Sequence, residues 1–302
     1  MKRIFEKIFS CDHWNIGIAI LNDKLRVDEH TVRWFSHNNL ADFKADPFVI
    51  EHDGFVYIFY EELYLLSSHG VLRCAVFDKN LNLINDQVIH GFSHLKSHLS
   101  FPFTFKYHDK IFCIPETHEL NRVILFEAVD FPFYWREVKT LLKDIELVDT
   151  IFFELNSKCY LVGSDLDNKM FFFESDDLFD SWSSVKFNNE SNIVNKRMGG
   201  GPIIFEGKLF FVNQECDNKE YGKAIYISEV GCISADNYME TIKYHILPFD
   251  RKYCRGIHTL NFSENYLVID GKMKRYSLFM PVKKLICKFK TFRRKYKLSR
   301  TR

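Results

Sequence analysis

Two aspartates, Asp46 in "ADPFVI" and Asp149 in "VDTIFF", each stand at the head of an apolar, strand-like run. Comparable heads in other parts of the chain carry Phe101, Gly201 and His258, and the paired runs that follow end on Glu61, Glu116, Gln214 beside Glu215, and Asp270. A carboxylate is costly to bury unless it is paired or functional. Acids gathered around one axis would push each other's pKa values apart, which is what acid–base chemistry requires. The bland alternative is that these acids cap turns or pair with surface Lys and Arg. The candidate catalytic residues are therefore Asp46, Asp149 and Glu116. The candidate substrate-binding residues are Glu61, His98, Arg197, Gln214, His258 and Asp270. His98, just before "LSFPF", suits a rim position where an imidazole meets a ligand hydroxyl. Arg197 either holds a phosphate or carboxylate bidentately or is a surface arginine.

These residues converge only if the segments that carry them repeat. The pattern of head, strand, polar turn, strand and polar end begins near residues 46, 101, 149, 201 and 258. A period of about fifty residues signals a repeat architecture. The paired runs are rich in Phe, Ile, Val and Tyr and are split by Asp-Gly, His-Asp, Asn-Ser, Glu-Gly or Glu-Asn, which are turn formers. A second hairpin-like stretch follows each pair, as in "VLRCAVFDKNLNLINDQVI" and "RVILFEAVDFPFYWREV". Two plus two strands make one blade, so the chain reads as an all-β, five-bladed β-propeller over residues 13–281. The fifth unit supplies only "RYSLFM" after its first hairpin, and the run Asn15 to Asp23 is expected to fill the missing place and close the ring. A two-sheet sandwich explains the composition but not the recurrence.

The chain has 302 residues, 46% of them hydrophobic, with 31 Phe and 14 Tyr, enough for a core without staples. Its 8 Cys include no CxxC pair, which fits reduced thiols in a cytosolic setting better than a disulfide framework. Residues 1–12 are basic and amphipathic rather than a continuous apolar leader, and no apolar run reaches the roughly 18 residues of a membrane span. His90, His94 and His98 stand four apart, but the Gly91-Phe92-Ser93 between them suits a connection better than a zinc-binding helix. "GGG" lacks the spacing of a nucleotide loop. No metal and no cofactor are expected. Gln214, Tyr221 and Lys223 form a polar run that could line the channel, and Trp135 and Trp182 read as blade core.

The net charge of +1 hides a division. Residues 283–302 hold ten Lys or Arg and no acid, which leaves 31 basic against 40 acidic residues in the remainder. In the tail 282–302, Val282, Leu285, Ile286, Phe289, Phe292 and Tyr296 recur at helical spacing among these bases, with Pro281 suited to a first turn. The expectation is a basic amphipathic C-terminal helix on an anionic membrane surface, with the protein cytoplasmic and peripheral at the inner face of the membrane. Nucleic acid is disfavoured as a partner, because the acidic body repels a phosphate backbone.

Asp46 and Asp149 resemble the first two carboxylates of the five-bladed enzymes of glycoside hydrolase family 43. That resemblance implies a general base at Asp46 and a pKa-tuning residue at Asp149. The Glu-Gly-Pro of that family, which supplies its general acid, is replaced here by Gly200-Gly201-Pro202. Glu116 or Glu215 is then the candidate for a displaced acid. A closer likeness spans about residues 13 to 272. The series "WNIGI", "ADPFVI", "YIFYEE", "HLSFPF", "IPET", "DFPFYW", "DTIFF", "GGPIIF", "YGKAI" and "GIHTLNF" resembles the N-terminal propeller of plant glucosamine inositolphosphorylceramide transferases and related stand-alone bacterial proteins. This implies a carbohydrate-active scaffold in surface-glycan or glycolipid assembly, working on an activated or lipid-linked sugar. An inverting glycosidase with a displaced acid and a non-catalytic glycan-binding scaffold are the alternatives.

Overall fold

In a computed structural model of the chain, residues 2–21, 27–28, 30–36, 42–187, 196–216, 221–234 and 237–300 are described. The five sheets expected from the repeat are present. From the axis outward, blade one carries Phe43–His52, Phe55–Leu63, Gly70–Phe77 and Leu83–Val88. Blade two carries Ser100–Tyr107, Lys110–Glu116, Arg122–Asp130 and Tyr134–Lys143. Blade three carries Val148–Leu155, Lys158–Ser164, Met170–Ser175 and Ser183–Val185. In blade four the inner strand is broken into Arg197–Met198 and Ile203–Phe205 on either side of the glycines. Lys208–Glu215, Ala224–Ser234 and Asn237–Ile246 follow outward.

The expected turns lie at the end away from the strand heads. Asp53-Gly54, Asn156-Ser157 and Glu206-Gly207 each take positive φ at both positions. That is the geometry a two-residue hairpin needs to match the strand twist. Between blades the apolar faces interlock, for example Phe48 against Phe101 and Phe103, and Phe153 against Phe211.

Blade five corrects one expectation. "RYSLFM" is not a third strand. The strand Tyr266–Tyr276 runs straight through, beside the short inner strand Leu260–Phe262. Both outer strands come from the other end of the chain, as Ser10–Ile20 and Arg33–Trp34. The closing strand pairs along its whole length, from Ser10 opposite Tyr276 to Ile20 opposite Tyr266. It buries Ile16 fully and Ile18 nearly so, and that burial accounts for the continuous partner strand. Asn15 to Ile20 of the expected closing run lie in this strand, and Asn22 and Asp23 lie outside the described residues. Residues 10–12, expected in a separate N-terminal segment, belong to the ring.

Two helices flank the clasp: α1 (Lys2–Phe9) leads into the closing strand, and α2 (Met280–Arg300) follows its partner. The tail is thus helical as expected and begins slightly earlier than 282. Among the described residues no helix is long and apolar enough to cross a membrane.

Ile16→Ala, which opens a cavity where the closing strand packs in the core shared by blades five and one, is expected to cost about 2–5 kcal/mol. Urea unfolding measures it, and an unchanged midpoint would argue that the N-terminal strand does not hold the ring shut.

Candidate functional site

The three heads Asp46, Phe101 and Asp149 share one backbone device. Each has positive φ (55, 41 and 50°), and each sits where the pairing to the second strand slips, between Ala45 and Phe48, Ser100 and Phe103, and Val148 and Ile151. Non-glycine residues seldom adopt this conformation, and a bulge leaves the extra residue out of the ladder. Its amide must bond elsewhere, and each does so to a carboxylate of the preceding blade. The Asp46 amide donates to Asp270 Oδ2 (3.4 Å), the Phe101 amide to Asp46 Oδ2 (3.1 Å) and the Asp149 amide to Glu116 Oε2 (3.3 Å). Asp270 also accepts from the amides of His258 (2.9 Å) and Thr259 (3.1 Å). The acids gather in one funnel, and three of them also stitch its blades together.

On one side of the funnel His258 lies between Asp46 (Nε2 to Oδ1, 3.0 Å) and Asp270 (Nδ1 to Oδ2, 2.8 Å), with Trp14 packed on its ring at 4.1 Å. Burial alone would lower the imidazole pKa, but the two carboxylates raise it to about 10. Burial likewise works to raise Asp46, and the bond from His258 and the Phe101 amide overrule it and hold Asp46 below its ordinary value. The Thr259 hydroxyl donates a further bond to Asp46 Oδ1 (3.0 Å). Asp46 is an ionised group held in place by His258, Thr259 and the Phe101 amide. The side chains of Asp46, His258 and Asp270 are close enough together to hold a cation, but the attraction of an imidazolium for the carboxylates on either side of it accounts for the same distances.

Opposite, Arg197 reaches in from the broken strand of blade four. Its Nε donates to Asp149 Oδ2, and its Nη2 lies 3.4 Å from Glu116 Oε2. Gln214 Nε2 donates to the same Asp149 oxygen (3.0 Å) and to the Met198 carbonyl (2.7 Å), and His118 Nδ1 lies 2.8 Å from Glu116 Oε1. The two carboxylates differ in proton affinity. Burial works to raise Glu116, but His118 and Arg197 override it and hold it far below the ordinary range. Burial lifts Asp149 to about 7 against the pull of Arg197, with the Glu116 charge adding to the rise. Asp149 is therefore the more readily protonated of the two carboxylates, and Glu116 the one that holds its charge. Tyr221, 45% exposed, lies over the Arg197 guanidinium at 5.4 Å and 5.1 Å from the His258 ring, at the mouth of the funnel.

The position of the missing acid is closed by packing. A Cβ at Gly200 would lie 2.1 Å from the Leu260 carbonyl oxygen, because the Leu260 amide bonds to the Gly199 carbonyl (2.8 Å) and the Gly201 amide to Asn261 Oδ1 (2.7 Å). No side chain fits there. Neither expected substitute takes its place: Glu116 is ionised, and Glu215 is engaged on the blade with Lys223 and with His245 (2.7 Å). Glu61 is buried and sits within the acid cluster, and burial with the charges of Asp46 and Glu116 raises its pKa. His98 accepts the Gly70 amide at Nδ1 (2.9 Å) and turns Nε2 to Glu61 Oε1 (3.2 Å), so both ring nitrogens face protein. Asp270 is fully buried beneath His258. His90 stacks on Tyr134 and His94 meets Glu137 (2.8 Å), apart from His98, and the segment is not helical. Trp14, His118 and Thr259 escaped the reading of the residues. His118 and Thr259 are close in sequence to Glu116 and His258, which is the signal that could have found them, whereas Trp14 comes from the distant closing strand.

Comparison with known proteins shows a family and a fold. The profile of the family described as "Glucosamine inositolphosphorylceramide transferase 1, N-terminal" matches residues 31–254. The Glucosamine inositolphosphorylceramide transferase 1 of Arabidopsis thaliana is 29% identical over 223 residues, covering 68% of this chain and 28% of that protein. Its counterpart in Oryza sativa subsp. japonica is 26% identical over 211 residues, covering 66% and 28%. The chain thus spans little more than a quarter of the length of these relatives. Among solved structures, the catalytic domain of the Coprinopsis cinerea GH62 α-L-arabinofuranosidase superposes with a TM-score of 0.55 at 11% identity, over 86% of this chain and 98% of that one. An exo-1,5-α-L-arabinanase from a bovine ruminal metagenomic library gives 0.53 at 13% identity, over 78% and 95%. At these identities the likeness to solved structures is one of fold.

The His258 ion pairs predict a pH signature. An imidazole raised from 6.5 to about 10 holds its proton more tightly in the folded chain than in the unfolded one. Its stabilisation is full below about pH 6.5 and is lost as pH rises toward about 10. Melting temperature should fall across that window in the wild type and fall less in His258→Gln; parallel profiles would count against the buried imidazolium.

Proposed function

The chain belongs to the glucosamine inositolphosphorylceramide transferase 1 N-terminal family, and on that premise we propose that its funnel takes up the sugar of an activated or lipid-linked glycan. There it takes part in glycosyl transfer or processing during glycolipid assembly. The observation that carries this reading is the convergence of Asp149, Glu116, Arg197 and Gln214 on one buried cluster, with Asp149 at about 7.

In this reading Asp149 accepts or returns a proton at a sugar hydroxyl, since a group that titrates near the working pH is the best placed to do so. Arg197 and Gln214 orient the Asp149 carboxylate. Glu116, held ionised, and Asp46 offer fixed acceptors to hydroxyl or amino groups. Tyr221 supplies an exposed ring at the mouth on which a sugar face can pack. The charges within the funnel come close to cancelling, His258, Arg197 and His118 standing against Asp46, Asp270, Glu116 and a partly protonated Asp149. That balance suits a neutral or amino sugar inside and leaves any phosphate at the rim. Hydrolysis with a displaced acid is the weaker reading, because Gly200 admits no side chain and Glu116 and Glu215 are both held in ion pairs.

The test is turnover of nucleotide sugars and of lipid-linked sugars, alongside aryl glycosides, by the whole protein. Asp149→Asn is expected to lower turnover at least about tenfold and to remove the limb of the pH–rate profile near 7. Tyr221→Ala is expected to weaken sugar binding with little change in the maximal rate. Sugar binding with no turnover of any donor would reduce the protein to a glycan-binding scaffold. Aryl-glycoside turnover lost in Asp46→Asn would restore the hydrolase reading.

A further inference from the structure

Helix α2 is amphipathic in an unusual sense, because its charged side is the docked one. Lys283 Nζ lies 2.8 Å from Asp42 Oδ1, and Lys290 Nζ donates to the Leu66 carbonyl (2.6 Å). Arg294 grips Glu119 with two parallel bonds (2.9 and 3.0 Å) and also donates to the Ser68 carbonyl. Asp42 and Glu119 are buried carboxylates that these cations neutralise. Asp42, the loop from Tyr64 to His69 and the turn His118–Leu120 all lie at the end of the ring where the strand heads form the funnel. The helix therefore lies across the funnel rim, from blade five over blade one to blade two.

The side turned away from the ring is apolar. Val282, Leu285, Phe289, Phe292 and Tyr296, spaced alternately three and four residues apart, are between 51 and 70% exposed. A single surface apolar residue needs no explanation, but a contiguous stripe does. Helix α1 widens it. The Ser277 amide bonds to the Phe9 carbonyl (2.9 Å) and Lys284 Nζ to the Lys7 carbonyl (2.8 Å), which sets the two helices side by side. Phe5 and Ile8 on α1, and Leu278 and Phe279 at the start of α2, are also exposed. Lys288, Arg293 and Lys297 flank the stripe, all exposed, and no acid occurs from Lys283 to Arg302.

We propose that this two-helix surface inserts into an anionic lipid bilayer and thereby holds the funnel mouth against the headgroup layer. The occupant follows from charge and shape. A second copy pairing along the same stripe would bring Lys288, Arg293 and Lys297 against their own kind, which is repulsive. A patch two helices wide, edged by cations, matches the interface of an anionic membrane, with the apolar side chains among the acyl chains and the lysines and arginines at the phosphates. The bound orientation presents lipid head groups to the funnel directly. In that respect it rests on the sugar-binding reading, while the membrane contact itself does not.

The experiment is flotation of the full-length protein with phosphatidylcholine vesicles, with and without phosphatidylglycerol. Light scattering of the free protein accompanies it. Flotation is expected only with the anionic vesicles, at least about tenfold weaker for the double variant Phe289→Ser and Phe292→Ser, and weakened by salt. These side chains are exposed, so the variant's melting curve should match the wild type. Hydrogen exchange on vesicle binding should show protection in residues 278–297 and at the rim loops, and none at the far turns Asp53-Gly54 and Glu206-Gly207. Three outcomes overturn the proposal: no flotation, flotation indifferent to the double variant, or a dimer that the double variant splits, which would assign the stripe to a second copy. Protection at the far turns would overturn the orientation. These vesicles carry no sugar, so the result stands or falls separately from turnover in the funnel.

Discussion

Each blade must begin with a bend, and a bend in a buried strand strands a peptide N–H. In blades one, two and three the bend is a bulge with a non-glycine residue at positive φ, and the orphaned amide is satisfied by a carboxylate from the blade before it. An unsatisfied buried amide costs a large part of a domain's net stability, so these acids cannot be spared. The funnel is acidic first because the ring requires it. The histidine and arginine that neutralise the excess, His258 and Arg197, are consequences of that requirement, and what chemistry remains depends on how unevenly they do it. Asp46 and Glu116 are pinned in the ionised state, whereas burial and the Glu116 charge push the proton affinity of Asp149 up.

The same backbone requirement is met differently in blade four. In blade four the bend is made by glycines instead of a bulged side chain, and the inner strand is drawn against blade five until a Cβ at Gly200 would strike the Leu260 carbonyl. The absence of a side chain at that place is built into the packing of two blades. A single substitution would not supply one.

Much of this was legible in the sequence. The fifty-residue recurrence gives the five blades, and the heads Asp46, Phe101 and Asp149 are equivalent in the backbone as in the pattern, because apolar alternation and turn residues are local signals. Which acid faces which base is not local. Arg197 meets Asp149 and Glu116 across three blades, and Trp14 reaches His258 from the opposite end of the chain. Only ring closure sets those distances. Blade five misled for the same reason: "RYSLFM" reads as a stretch following the hairpin, but pairing with the closing strand carries the hairpin's own strand through to Tyr276. The tail was legible as a helix but not in its facing. Spacing alone marks an apolar stripe and a basic one without saying which of them the acidic rim will claim.

The clasp of blade five has one more consequence. Because strands from the two ends of the chain lie side by side with Ser10 opposite Tyr276, both ends leave the ring at neighbouring points on the funnel side. In a longer polypeptide built on this ring, any catalytic or membrane-spanning unit joined at either end would be tethered within a short radius of the funnel mouth. A tether of that kind raises the effective concentration of one active centre at another without any specific interface between them. In a closed propeller of this design, where the ends emerge decides what lies beside the funnel.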